Sequence, residues 1–122
     1  MTKILIVDDS AYARRVHRGI LERGGYDVIE AATGTIAIET FARENPDLVL
    51  LDLSMEDIGG LQVLETLRQL NPLARVIVVS ADVQRTTSSA VIAGGARGFL
   101  PKPAAPDQII AAVADALQEP SL

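Results

Sequence analysis

Four short apolar runs constrain this chain more than any other feature: Ile4 to Val7, Val28 with Ile29, Leu48 to Leu51, and Val76 to Val79. Each is too short for a helix, and together they are rich in β-branched residues, as expected of strands buried on both faces. A weaker fifth run, Gly98 to Leu100, is bounded by Gly95 and Pro101 and reads as an edge strand. Between the runs the apolar period becomes helical. Ala13, Val16, Ile20 and Leu21 fall on one face, as do Leu64, Leu67 and Leu70, and then Ile109, Ile110, Val113 and Leu117. Gly24 and Gly25 stand where a helix ends, Pro46 and Pro72 just before strands, and Pro106 with Asp107 where the last helix opens. Strands alternating with helices must run parallel with right-handed crossovers, which predicts an α/β chain: a doubly wound five-stranded sheet with five helices on its two faces. The segment Gln84 to Gly95, with its Thr, Ser and Gly residues, is the poorest helix former and is expected to be the most mobile helix. Glu119 to Leu122 is expected to fray.

A chain of 122 residues is sized for one domain, residues 1–122. Hydrophobic residues make up 48% of it and aromatics only 3%, so the core is aliphatic. A formal charge of −5 argues against direct binding to nucleic acid or to an anionic membrane. With no cysteine there is no disulfide, thiolate metal site or cysteine nucleophile, which fits a reducing cytoplasm. The start lacks the apolar stretch of a signal peptide, and no run reaches the ~18 apolar residues of a membrane span. The expected location is the cytoplasm.

Ligands of such sheets bind at the carboxyl ends of the strands, and the polar residues collect there. Asp8 and Asp9 follow the first strand, Asp52 the third and Ser80 the fourth, and Lys102 lies just past the fifth. In a sheet ordered 2-1-3-4-5, strands one, three, four and five are neighbours, and these five side chains meet in one cleft. Three carboxylates at close range repel one another unless one takes a proton or a cation joins them. Magnesium is suited to that place, since it prefers oxygen ligands and is often held by one or two carboxylates plus a phosphate. With such an ion present, Asp52 can attack phosphorus while Lys102 and the Ser80 hydroxyl hold the other phosphoryl oxygens.

Over essentially its whole length the sequence resembles the receiver domains of two-component response regulators. The matching segments are Ile6-Val7-Asp8-Asp9-Ser10, Leu51-Asp52-Leu53-Ser54-Met55, Gly60, Ser80-Ala81, Gly95-Ala96 and Lys102-Pro103. The resemblance implies the flavodoxin-like fold of the single-domain chemotaxis receivers. It implies that Asp9, Asp52 and the Ser54 carbonyl bind Mg2+ directly, with Asp8 acting through water. Asp52 is then the phosphoacceptor, Ser80 the hydroxyl switch, Phe99 the aromatic switch and Lys102 the phosphate counter-ion, and the Lys102–Pro103 peptide is cis. The implied partners are a histidine kinase or histidine phosphotransfer protein and a downstream effector, met through the face of helix four, strand five and helix five. The chain is expected to be a monomer or a weak phosphorylation-dependent dimer, and no enzyme beyond the chemistry on its own aspartate. With no output domain after Gln118, a partner is expected to carry the response, unless the chain is cut from a larger protein. The family usually has Pro four residues after the phosphoacceptor and Asp before the later Gly, where this chain has Glu56 and Gly59. That predicts a less rigid loop, with Glu56 and Asp57 near the metal.

Each of these residues also has a plainer reading. Asp8 could cap the following helix, Ser80 could be a cap or core hydroxyl, and Phe99 could simply fill space. His17 is read as solvated or packed, without a function. Arg14, Arg15 and Arg18 are either a solvated face or the place where the phosphohistidine donor docks. Two rival functions are a degenerate receiver that binds partners without phosphorylation and a small aspartyl-phosphate phosphatase of the haloacid dehalogenase type. The latter places its nucleophile after the first strand as Asp-x-Asp, whereas here Asp8-Asp9 is followed by Ser10.

Overall fold

The computed structural model describes residues 1–53, 57–81 and 85–118. Ser54, Met55, Glu56, Gln84 and the segment Glu119 to Leu122, all invoked above, lie outside the described residues. The elements alternate without exception: β1 (Lys3–Val7), α1 (Ala11–Arg23), β2 (Asp27–Ala31), α2 (Gly34–Glu44), β3 (Leu48–Asp52), α3 (Gly60–Leu70), β4 (Val76–Ser80), α4 (Arg85–Ala93), β5 (Gly98–Pro101) and α5 (Pro106–Gln118). All neighbouring strands pair in parallel, in the order β2-β1-β3-β4-β5.

The strands outlast their apolar runs, because backbone pairing is indifferent to side-chain polarity. Asp52 pairs with Val79 and Ser80 with Pro101, so both polar residues belong to the ladders. The period of two then divides the strand residues between two cores. Leu5, Val7, Val49, Leu51, Val76 and Val78 pack with Ala37 and Phe41 of α2, Val63, Leu64 and Leu67 of α3, and Val91 of α4. Ile4, Ile6, Leu48, Leu50, Ile77 and Val79 pack with Ile20 and Leu21 of α1 and Ile109, Val113 and Ala116 of α5. Each fully buried Val, Leu or Ile contributes about 1.5–3 kcal/mol relative to exposure.

The helix ends follow local chemistry. The Ser10 hydroxyl caps α1 by accepting from the Ala13 N–H at 3.1 Å, and Thr33 does the same for α2 toward Ile36. Gly24 ends α1, and Gly25 follows at φ 90°, a left-handed conformation that costs glycine little. Two apolar residues depart from the expected stripes. Val16 is 40% exposed and Leu70 52% exposed. On α1 Ile20 and Leu21 face inward as expected, but one turn before them His17, rather than Val16, takes the buried position.

Candidate functional site

The site is assembled where β1, β3, β4 and β5 end. Asp52, the last residue of β3, is 4% exposed, and Asp8, directly after β1, is 2% exposed. Asp9 is exposed at the mouth. Asp8, Asp9 and Asp52 each bring a carboxylate oxygen within 4.8 Å of the others. Ser80 closes β4 and is buried, and its carbonyl accepts the backbone N–H of Lys102 at 2.8 Å, which carries the chain past the end of β5 to the site. The Lys102–Pro103 peptide is cis, as expected.

The Lys102 ammonium lies 3.1 Å from Asp8 Oδ2 and 3.4 Å from Asp52 Oδ2. Burial pushes its pKa down, but Asp52 and Asp8 outweigh burial and hold it above the ordinary lysine value. Three carboxylates and one ammonium leave a formal charge of −2 (−3 + 1) in the cluster. Hard oxygen donors with that charge, and no nitrogen or sulfur ligand among them, fit a hard dication.

Asp8 is not the cap of α1, a role that falls to Ser10. The Asp8 carboxylate instead accepts the Ser10 N–H at 2.9 Å, two residues on, so the acid is oriented by its own loop and by Lys102 together. The strand period also places Asp52 and the two predicted switches on different faces of the sheet. Leu48, Leu50 and Asp52 alternate on the α1–α5 face, whereas Val76, Val78 and Ser80 alternate on the α3–α4 face, where half-buried Phe99 packs too. Ser80 and Phe99 thus share a side of the sheet.

Three residues fall differently from expectation. The Asp57 carboxylate is not one of the group formed by Asp8, Asp9 and Asp52. Its carboxylate accepts the N–H groups of Gly34 (2.9 Å) and Thr35 (3.0 Å) and the Thr35 hydroxyl (2.9 Å), tying the loop after β3 to the start of α2. The Gly34 bond, followed by those from Thr35, holds the Asp57 carboxyl far below the ordinary carboxylate range. Arg14 and Arg18 are not a free basic face, because both are paired with Glu30 of β2. Arg15 remains exposed. His17 is packed, and burial, opposed by Asp8, lowers its pKa below the ordinary histidine value. It lines a groove of about 550 Å3 with Tyr12, Val16, Lys102, Pro103 and Ala104.

Of these features, the Glu30 pairing carried a visible signal: two arginines at i and i+4, and an acid directly after the apolar pair Val28-Ile29 of a short strand. The Asp57 cap carried none, since it depends on how far the loop after β3 reaches across the sheet.

The sequence matches the family described as the response regulator receiver domain over residues 4–114. It is 36% identical to the chemotaxis protein CheY of Bacillus subtilis over 91% of this chain and 93% of that protein. A CheY-like receiver domain protein of Methanospirillum hungatei superposes with a TM-score of 0.92 at 29% identity, covering 96% of this chain and 94% of the other. The CheX–CheY–BeF3–Mg2+ complex of Borrelia burgdorferi contains a chain that superposes with a TM-score of 0.91 at 27% identity, covering 97% and 90%. Among the described residues no helix is long and apolar enough to cross a membrane. Sheet order, acid cluster and sequence thus agree, and the chain belongs to the response regulator receiver domains, the CheY-like receivers of two-component signalling.

Proposed function

We propose that this receiver accepts a phosphoryl group on Asp52 from a histidine kinase or histidine phosphotransfer protein and reports it through the face formed by α4, β5 and α5. The observation that carries the reading is the setting of Asp52. It is a buried carboxylate at a strand end, within 4.8 Å of two further carboxylates and 3.4 Å from an ammonium. Asp9, Asp52 and the Ser54 carbonyl would hold Mg2+, with Asp8 acting through water. The ion, when bound, supplies charge neutralisation for the acids and for the phosphoryl oxygens. Lys102 and the Ser80 hydroxyl take the remaining phosphoryl oxygens. A new Asp52 Oδ–P bond forms as the donor's bond to phosphorus breaks, and the donor departs with the electron pair.

Ser80 and Phe99 share the sheet face toward α3 and α4, which supports their roles as coupled switches. The groove between α1 and the segment after β5 supports donor docking there, with Tyr12 and Val16 as its apolar rim and Arg15 as the charged contact. The response then passes to an effector protein, while nucleic acid and membrane are not direct partners of this acidic chain. A cytoplasmic location accords with the composition. The domain is proposed to span residues 1–122 and to act as a monomer or weak phosphorylation-dependent dimer.

Acetyl phosphate with magnesium tests the reading by intact-mass spectrometry. One phosphoryl group is expected on the wild type and none on Asp52→Asn. Equal labelling of the two proteins would overturn the assignment, and absence of label from both would favour a receiver that acts by binding alone.

A further inference from the structure

Arg14 and Arg18 stand one helical turn apart on α1, and both reach Glu30 on β2. Arg14 Nε donates to Glu30 Oε1 at 2.9 Å, and Arg18 Nη1 donates to Oε2. Burial alone would raise the Glu30 pKa, but hydrogen bonds from Arg18 and Arg14 outweigh it and keep the carboxylate ionised. Both arginines spend a further N–H on backbone. Arg18 Nη2 donates to the Val28 carbonyl at 3.1 Å, which anchors the pair to β2. Arg14 Nη1 donates to the Asp8 carbonyl at 2.7 Å. One rigid guanidinium therefore joins a carboxylate on β2 to the peptide that links Asp8 with Asp9.

The acids themselves differ in support. Asp8 is fixed at four points, by its own N–H on the Ala31 carbonyl, by Ser10 N–H on Oδ1, by Lys102 on Oδ2 and by Arg14 on its carbonyl. Asp9 is exposed, and among the described residues no hydrogen bond to its carboxylate is present. Its place in the cluster is consequently set through the backbone, and the peptide it shares with Asp8 is planar. We infer that Arg14, braced by Glu30, is a positioning residue of the cation site: it fixes the plane of the Asp8–Asp9 peptide and so the point from which Asp9 reaches Asp8 and Asp52.

Electrostatics alone predicts the opposite behaviour. An arginine near a carboxylate cluster repels a cation, so its removal would tighten magnesium binding. Positioning predicts weaker binding, and predicts it even for Arg14→Lys, which keeps the charge and loses the planar fork.

The inference rests on reading the acid cluster as a magnesium site, so the test includes controls for that reading. Magnesium alone is titrated by calorimetry into the wild type, Asp9→Asn, Arg14→Lys, Arg14→Ala and Glu30→Gln, each with its urea midpoint. Arg14→Lys and Arg14→Ala are expected to weaken binding about tenfold or more, as substitutions behind metal ligands commonly do. Glu30→Gln is expected to lose less, since its amide oxygen still accepts one N–H. The loss is expected to persist at high salt, where a charge effect would fade. Unchanged or tighter binding in Arg14→Lys and Arg14→Ala, with only the urea midpoint lowered, would overturn the inference. A wild type that binds no magnesium would sink both readings. Binding lost in Asp9→Asn but intact in Arg14→Lys would sink the clamp alone. If Arg14→Ala does not fold, Arg14→Lys and Glu30→Gln decide.

Discussion

Lys102 sits between two buried carboxylates, and its removal acts on two quantities in opposite directions. Without magnesium, Lys102→Ala leaves Asp8 and Asp52 buried beside each other with no cation. Removing one partner of a buried pair costs about 3–5 kcal/mol, and partial exposure of the lysine reduces this to about 2–3 kcal/mol. With magnesium, the absent ammonium no longer competes. A unit charge several ångströms away at an effective dielectric near 20 is worth on the order of 1–3 kcal/mol before screening, which screening reduces to about tenfold in affinity. Lys102→Ala is therefore expected to have a lower urea midpoint than the wild type in EDTA, and to bind magnesium more tightly by calorimetry. Collapse of magnesium affinity would mean that the lysine builds the site rather than competing within it. The pKa direction fits a lysine in such a pair. A raised lysine pKa contributes stability in full below the unfolded value near 10.4, lost only as pH rises through the folded value.

Each strand could be found from its apolar run, but the runs stop short of the strands at Asp52 and Ser80, where polarity changes and pairing does not. The five polar residues at the strand ends were legible because each follows a run, and parallel order brings those ends together. Val16 was misplaced for the converse reason. Val16 and His17 both lie about one turn before Ile20 and so both fit the helical period, and hydropathy favours valine over histidine. The Asp57 cap lay beyond sequence reasoning, since it joins a loop to a helix from a different part of the chain. That contact has its own pH signature. Asp57 has a depressed pKa, so its stabilisation is present above the unfolded aspartate value near 3.9 and is lost as pH falls toward the folded value. The wild type is expected to exceed Asp57→Asn in urea midpoint by a constant margin above about pH 5, and the margin is expected to shrink below about pH 4. A margin that does not change with pH would show that the carboxylate's charge is not what secures α2 to the loop.

The sheet has one acidic end, and the chain as a whole carries −5, so two distinct effects of added magnesium must be separated. Any salt relieves the self-repulsion of an acidic protein, whereas a bound ion stabilises by mass action on the folded state alone. At a hundredfold excess over its dissociation constant, a ligand specific for the native state adds about 2.7 kcal/mol. For a domain of this size that corresponds to roughly 10 °C in the melting temperature. Magnesium is expected to raise the wild-type melting temperature by about that amount, and EDTA to reverse it. Sodium chloride at equal ionic strength is expected to give only a small rise, because general screening does not depend on a site. Asp9→Asn and Asp52→Asn separate the causes further, since each removes one charge of the same sign from the cluster, whereas Asp107→Asn removes one from the exposed first turn of α5, outside it. The two cluster variants are expected to lose most of the magnesium response, and Asp107→Asn to retain it in full. If all three respond alike, the ion is relieving net charge over the whole surface, and the acid cluster at the carboxyl end of the sheet is not where it binds.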